Sequence, residues 1–185
     1  MPGKASRAGI ARSVALVCCV ALLMTAIIPS AKAAAAVSDL VIAARALGFM
    51  ENGPKGDVTV GIVYDPTSSQ SVQDADGVQK ILGDGLKVGN LILKPVMVKT
   101  DEIATAKVGL FFLTEGVGGD SMKVAVVEKT KHIPCVTIDL AQVRNGACVM
   151  GVQSLPKVEI LVNRAAAVDS GMAFASVFRM MITEF

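Results

Sequence analysis

Two cysteines, Cys135 and Cys148, have the plainest capacity for covalent chemistry in this sequence. Each lies in a short apolar segment typical of a strand, and a symmetric antiparallel hairpin centred on Ala141 and Gln142 would place them directly opposite each other. Opposed residues of such a pair have Cα atoms about 4.5–5.5 Å apart, which is within disulfide range. The pattern predicts a Cys135–Cys148 disulfide. The alternative is two half-buried free thiols that pack as small hydrophobic side chains.

A second set of candidate residues is polar and follows two apolar strands. Residues 65–71 come after the β-branched run 58–64, and residues 114–119 come after a run that begins at Val108. In open α/β sheets, ligands bind beyond the carboxyl ends of the strands, where helix N-termini offer N–H groups to anions. The candidate ligand-binding residues are Asp65, Thr67, Ser68, Ser69, Ser71, Thr114 and Glu115. The alternative is structural, because Ser71 and Asp74 have the spacing of a capping-box variant.

The sequence offers few side chains for catalysis or metal binding. His132 is the only histidine, and beside Lys131 it is more simply interpreted as a solvated residue than as a catalytic one. The methionines at 150, 172, 180 and 181 form no compact metal-binding motif, so core filling is the better interpretation. The glycines of residues 116–119 have neither the dinucleotide-binding spacing nor the lysine of a P-loop. We therefore expect a protein that is not an enzyme, with no catalytic residues, no metal and no cofactor.

The N-terminus has the composition of an export signal. Lys4, Arg7 and Arg12 form a basic region without an acid, and the apolar run that follows, residues 14–28, is shorter than the roughly 20 residues of a transmembrane helix. The sequence Ala-Lys-Ala ends at Ala33 and is a suitable cleavage site, with Ala35 as the alternative. We predict a signal peptide over residues 1–33 and a periplasmic location without stable membrane insertion after cleavage. An uncleaved anchor is the alternative.

Loss of the signal would reverse the sign of the net charge. The full chain has 18 basic and 16 acidic residues, a net charge of +2, and four of the basic residues lie in residues 1–33. The remainder has 14 basic and 16 acidic residues, a net charge of −2, so we expect no nucleic-acid partner. Residues 34–185 are numerous enough for a single domain with one core. An exported chain would also reach the oxidising compartment in which disulfides persist.

Strand and helix patterns alternate along the rest of the chain. They predict a three-layer α/β sandwich with a mixed, mainly parallel sheet of about six strands and a C-terminal antiparallel hairpin. A first helix is predicted from a cap at Ser38 or Asp39 to about Met50. A terminal helix is predicted to carry Phe174, Val177, Phe178 and Met181 on one apolar face.

The C-terminal part of the chain resembles a known family. The run Val-Glu-Ile-Leu-Val-Asn at 158–163, with Ala165-Ala166 and Ser-Gly-Met at 170–172, is similar to the carboxyl-terminal half of YfiR-like periplasmic proteins. The resemblance implies a half-size periplasmic binding fold. It also implies a repressor that docks on the periplasmic domain of an inner-membrane diguanylate cyclase and limits cyclic di-GMP synthesis. Disulfides take part in regulating that family, and the expected docking surface is an exposed apolar patch near Phe174 and Phe178.

The first strand carries a second resemblance. The run Gly-Ile-Val-Tyr-Asp-Pro at 61–66, followed by Ser71-Val72, is similar to the first strand and loop of one lobe of an ABC transporter substrate-binding protein. Such proteins close two lobes over a ligand, so one lobe would form a homodimer or bind through a surface. The sequence thus predicts a periplasmic regulatory module that binds a membrane signalling protein. A small-ligand-binding module is the alternative.

Overall fold

A single mixed sheet of eight strands lies at the centre of the structure, a computed structural model that describes residues 34–185. The predicted signal peptide and its cleavage after Ala33 lie outside the described residues. Ala34–Phe185 forms one compact unit. Within it, no helix combines the length and the apolar character needed to cross a membrane.

The sheet is mainly parallel. Its strands are β1 (Gly56–Tyr64), β2 (Leu86–Val88), β3 (Leu91–Lys99), β4 (Leu110–Leu113), β5 (Cys135–Thr137), β6 (Met150–Gln153), β7 (Glu159–Val162) and β8 (Thr183–Glu184). Their order in the sheet is β2-β3-β1-β4-β5-β6-β7-β8. The pairs β2–β3 and β6–β7 are antiparallel, and the remaining pairs are parallel. The predicted sheet is confirmed, with eight strands in place of about six.

Helices cover both faces of this sheet. They are α1 (Val37–Leu47), α2 (Ser69–Leu82), α3 (Met122–Lys131), α4 (Leu140–Arg144), α5 (Arg164–Asp169) and α6 (Ser176–Arg179), with a 3₁₀ turn at Gly119–Ser121. All four residues of β4 are buried, because side chains alternate between two covered faces. Leu110 and Phe112 join a core with residues of α1 and α2, whereas Phe111 and Leu113 join a core with α3. The predicted three layers are confirmed.

The link between β5 and β6 differs from the predicted hairpin. The Asp139 carboxylate accepts the N–H of Ala141 at 2.9 Å and begins α4. Leu140 and Val143 of that helix pack so closely on Gly151 that a Cβ there would lie within 2.8 Å of both side chains. The helix makes a crossover, so β5 and β6 run parallel and the predicted antiparallel pairing of these two strands is wrong. The C-terminal antiparallel hairpin is formed by β6 and β7 instead.

The first helix also begins and ends earlier than predicted. Ala36 occupies the cap position, and its N–H donates to the Asp39 carboxylate at 2.8 Å. Asp39 therefore satisfies the helix N-terminus from within the first turn, so the predicted cap at Ser38 or Asp39 is wrong. The helix ends at Leu47, and Met50 lies beyond it.

The predicted terminal helix is reduced to the four residues of α6. Phe174 precedes it and forms a β-bridge with Met50, and the chain continues into β8, which pairs with β7 and is the edge strand on that side of the sheet. Val177 and Met181 are 54% and 65% exposed. The predicted apolar face is therefore wrong, because the end of the chain extends the sheet and does not pack as a helix.

Candidate functional site

The order of the strands reverses at β1. The chain passes from β1 to β3 on one side of it and continues with β4 on the other side. Residues 65–71 follow the carboxyl end of β1, and residues 114–119 follow the carboxyl end of β4. In open α/β sheets the crevice at such a reversal is the usual ligand-binding position. The structure therefore brings together the two segments that the sequence singled out, and we call them the carboxyl rim.

A chain of buried hydrogen bonds holds the carboxyl rim together. The Thr114 hydroxyl donates to the carbonyl of Val63 at 2.8 Å. Because its one hydrogen is used there, Thr114 must accept the hydroxyl hydrogen of Ser71, whose Oγ lies 2.7 Å away. Ser71 in turn accepts the N–H of Asp65 at 2.9 Å. Both hydroxyls are fully buried, so Ser71 and Thr114 join the two segments and neither faces a ligand.

We expect Thr114→Val to lower the free energy of unfolding by about 1–3 kcal/mol, because the buried Ser71 hydroxyl loses its acceptor. Urea unfolding of the purified variant measures this loss. In the Ser71→Ala/Thr114→Val double variant, the loss should be smaller than the sum of the two single losses, because no unsatisfied hydroxyl is left. Strictly additive losses would contradict the hydrogen-bonded pair.

The N-terminus of α2 is capped by Ser68 and not by Ser71. The Ser68 Oγ accepts the N–H of Ser71 at 3.3 Å, so the predicted capping box of Ser71 with Asp74 is wrong. Gly116 lies directly over this turn with a φ of +75°, and a Cβ there would come within 2.9 Å of the Ser68 Oγ. Only glycine combines that backbone conformation with such a close approach. The β4 loop therefore covers the start of α2.

Asp74 ties the same loop to the helix from the inside. Its carboxylate accepts the N–H of Glu115 at 2.9 Å and the N–H of Ala35 at 3.4 Å. Burial raises the pKa of Asp74, because desolvation outweighs the two backbone hydrogen bonds that favour the carboxylate. Glu115 is itself buried and accepts a hydrogen bond from the Gln70 side chain at 2.9 Å.

The outer surface of the carboxyl rim is polar. Thr67 and Ser69 are exposed, and the Asp65 carboxylate accepts both the hydroxyl and the N–H of Thr67, at 2.7 and 2.8 Å. These two hydrogen bonds, that of the hydroxyl first, lower the pKa of Asp65. Asp65, Thr67 and Ser69 are thus the predicted residues that remain within reach of a ligand.

One residue of this site was not anticipated. Gln142 of α4 is buried, donates to the carbonyl of Thr114 at 2.9 Å and accepts the hydroxyl of Thr137 at 2.6 Å. It thereby fixes the end of β5 to the carboxyl rim. No local pattern indicates this role, because the predicted hairpin places Gln142 at the tip of an exposed turn.

The predicted disulfide is confirmed. Cys135 and Cys148 are bonded, their Cα atoms are 4.9 Å apart, and both residues are fully buried. The antiparallel hairpin on which the prediction depends is nevertheless wrong, since Cys148 lies before β6 and the two strands are parallel. The residues come together because the crossover through α4 returns the chain to the same end of the sheet.

A buried carboxyl group adjoins this disulfide. Glu128 of α3 is 1% exposed, and its carboxyl accepts the N–H of Cys135 at 2.7 Å. The N–H of Val149 is a second donor. Desolvation nevertheless dominates and raises the pKa of Glu128 to about 8. Val124, one turn earlier on the buried face of α3, was the only sequence signal that Glu128 faces inward.

The predicted docking residues are not exposed. Phe174 and Phe178 are 7% and 2% exposed, and the ring of Phe178 stacks on Phe49 with centroids 5.0 Å apart. The rings of Phe174 and Phe178 also contact each other, with centroids 5.5 Å apart. The expectation of an exposed patch at Phe174 and Phe178 is therefore wrong, because these rings close the core under α1.

Comparisons with known proteins give a likeness of fold. No family model and no curated protein matches the sequence. A conserved domain protein from Vibrio cholerae O1 biovar eltor superposes with a TM-score of 0.56 at 14% identity, over 80% of this chain and 59% of that protein. The ligand-free, open structure of a substrate-binding protein with adhesive properties from Clostridium difficile superposes with a TM-score of 0.51 at 14% identity, over 69% of this chain and 54% of that protein. This chain thus spans little more than half of each of these proteins and shares with them an α/β fold.

Proposed function

We propose that this protein is a binding module that presents its carboxyl rim to a small polar molecule. The observation that carries the proposal is the reversal of strand order at β1, with the loops after β1 and β4 joined there by the Ser71–Thr114 hydrogen bond. The likeness of fold to about half of a substrate-binding protein supports this choice over catalysis. So does the use of both buried hydroxyls as structural links, since neither is available as a nucleophile.

The outer groups suggest the class of ligand. Asp65 offers a carboxylate, and Thr67 and Ser69 offer hydroxyl groups on the same exposed loop. This combination suits a molecule with hydroxyl or ammonium donors, such as a sugar or an amino acid. A single rim is half of the crevice that a two-lobed protein closes, so we infer that a second copy of the chain or another surface completes it.

The periplasm is the compartment that we propose for this activity. Disulfides persist in oxidising compartments, and the Cys135–Cys148 disulfide therefore supports this location. The basic and apolar N-terminus adds a sequence argument for export.

Thermal-shift screening with amino acids, sugars and inorganic anions tests the proposal, because a ligand that binds only the folded state raises the melting temperature. Gly119→Leu is the blocking variant, since a Cβ at Gly119 meets no atom within 4 Å and the new side chain would occupy the rim. Gly77→Leu is the matched control, because a Cβ at Gly77 of α2 is equally unobstructed. We expect a ligand that stabilises the wild type and Gly77→Leu but not Gly119→Leu. Equal stabilisation of Gly119→Leu and Gly77→Leu by the ligand would reject the rim as the binding site. So would a screen in which no ligand stabilises the wild type or Gly77→Leu.

A second candidate function is regulation of a membrane signalling protein. In the segment that resembles YfiR-like proteins, Asn163 accepts the N–H of Ala166 at 3.0 Å, and it donates to the carbonyl of Val143 of α4 at 3.1 Å. Val168 of α5 and Met180, which follows α6, are 71% and 80% exposed, so we propose them in place of Phe174 and Phe178 as apolar contact residues. The proposed partner is the periplasmic domain of an inner-membrane diguanylate cyclase.

Capture from detergent-solubilised membranes tests this second candidate. Immobilised wild-type protein should retain an integral membrane protein with a cyclase domain, and Val168→Glu/Met180→Glu should not. Leu155→Glu is the control, since Leu155 is comparably exposed in the link between β6 and β7. Retention that is unchanged in the double variant, or retention of no cyclase by the wild type, would reject this surface.

A further inference from the structure

A cavity of about 610 Å³ lies at the opposite edge of the sheet from the carboxyl rim. Its walls come from the segments that precede three parallel strands, with Lys55 before β1, Lys107 before β4 and His132 before β5. The turn after α5 adds Gly171 and Met172 to the lining. A volume of this size is typical of sites for small organic molecules.

The charges that line this cavity are mainly positive. Among the described residues, neither Lys55 nor Lys107 forms an ion pair. The acid in the lining is Asp57, and its carboxylate is paired with Lys94. Two lysines that form no ion pair among the described residues therefore line the same cavity, and an anion is the ligand whose charge they would compensate.

His132 adds a fixed polar wall. Its Nδ1 lies 2.7 Å from the carbonyl oxygen of Ser170, and because a carbonyl only accepts, Nδ1 carries the hydrogen. The residue has a φ of +55°, and its ring packs on Gly171, where a Cβ would lie 3.2 Å from Nδ1. The ring is thus held at the turn after α5, and Nε2 is the nitrogen that a ligand could contact.

Apolar side chains complete the lining. They include Met50, Pro54, Val58, Val108, Pro134 and Met172. An inorganic anion would interact with the lysines but would leave the apolar lining without a contact. An organic anion with an apolar body would use both.

We propose that this cavity is a binding site for a small organic carboxylate with an apolar body, whose charge is compensated by Lys55 and Lys107. The site is separate from the carboxyl rim, so the proposal does not depend on the function proposed for that rim. Its ligand differs in kind as well, because the rim presents a carboxylate and hydroxyl groups and the cavity presents ammonium groups.

Isothermal titration with three probes of nearly equal shape tests the charge requirement. They are 2-naphthoate, the neutral 2-naphthamide and the cationic 2-naphthylmethylamine, with inorganic sulfate as a fourth probe that lacks the apolar body. We expect 2-naphthoate to bind more tightly than the other three. Equal affinity for the naphthoate and the naphthamide, stronger binding of sulfate, or no binding of 2-naphthoate would overturn the proposal.

Two double variants locate the binding. Lys55→Gln/Lys107→Gln should weaken 2-naphthoate binding about ten- to hundredfold, the usual effect of losing charge-assisted contacts. Lys99→Gln/Lys123→Gln removes the same charge from the end of β3 and the start of α3, at the carboxyl edge, and should leave the affinity unchanged. Equal weakening by both double variants would mean non-specific attraction, and an unchanged affinity in Lys55→Gln/Lys107→Gln would place the ligand elsewhere. Both outcomes overturn the site.

Discussion

Removal of the Cys135–Cys148 disulfide is expected to lower the free energy of unfolding by about 3 kcal/mol, which is a large part of the stability of a domain this size. The two residues are 13 positions apart, and the bond restricts the unfolded chain by closing the loop that contains α4. Both residues are fully buried on the face of the sheet that packs against α3, so their replacement also removes core contacts.

Urea unfolding of four samples separates the two contributions. The wild type is compared with and without a reductant, and Cys135→Ala/Cys148→Ala is compared under the same two conditions. The reductant should destabilise the wild type only by removing the restriction on the unfolded chain. It should not affect the double variant. The double variant should be less stable than the reduced wild type because of the lost side-chain volume. A wild type whose stability does not change when titration shows both thiols free would contradict the prediction.

A second large effect is expected at Glu128, as a change in the pH dependence of stability. The pKa of this carboxyl is about 8 in the folded protein and near its ordinary value of 4.5 in the unfolded chain. Between these values the folded state keeps a proton that the unfolded state has lost, so rising pH favours unfolding. The contribution of Glu128 is fully present below about pH 4.5 and decreases by about 1.4 kcal/mol per pH unit up to about pH 8.

The test is Glu128→Gln, which has a similar shape and keeps a carbonyl oxygen that can accept the N–H of Cys135 but does not ionise in this range. Relative to the wild type, the variant should become progressively more stable as the pH rises from 5 to 8 (in steps of about one unit) and then show a constant difference. Glu51→Gln is the control, because it makes the same replacement at an exposed position. A constant difference between Glu128→Gln and the wild type across the whole range would contradict the prediction.

Glu128 and the disulfide act at the same place, where α3 meets the start of β5 and the segment before β6. Glu128 accepts hydrogen bonds from the N–H groups of Cys135 and Val149, which lie at the beginning of β5 and just before β6, and the disulfide links the same two segments. The helix α3 is thus connected to the sheet where the chain makes its crossover. Loss of either connection should weaken the other, so the Glu128→Gln effect should differ between the oxidised and the reduced protein.

Part of the candidate site could be predicted from the sequence. The apolar runs that became β1 and β4 are local features, and the rule that ligand loops follow the carboxyl ends of parallel strands then places residues 65–71 beside residues 114–119. The roles of the side chains could not be predicted in the same way. Ser71 and Thr114 face each other and not a ligand, because a buried hydroxyl must find a partner inside the protein.

The sequence by itself determined part of the secondary structure of this protein. Periodic apolar residues define α2 and the buried strands, and the Asn163 side chain begins α5, since a helix start depends on residues within one turn. Tertiary structure alone decided the direction of β6, the burial of Phe174 and Phe178, and the high pKa of Glu128. The direction of β6 depends on how α4 packs against the sheet. The other two depend on which distant segments exclude water from a side chain. The spacing of residues in the local sequence does not indicate these contacts.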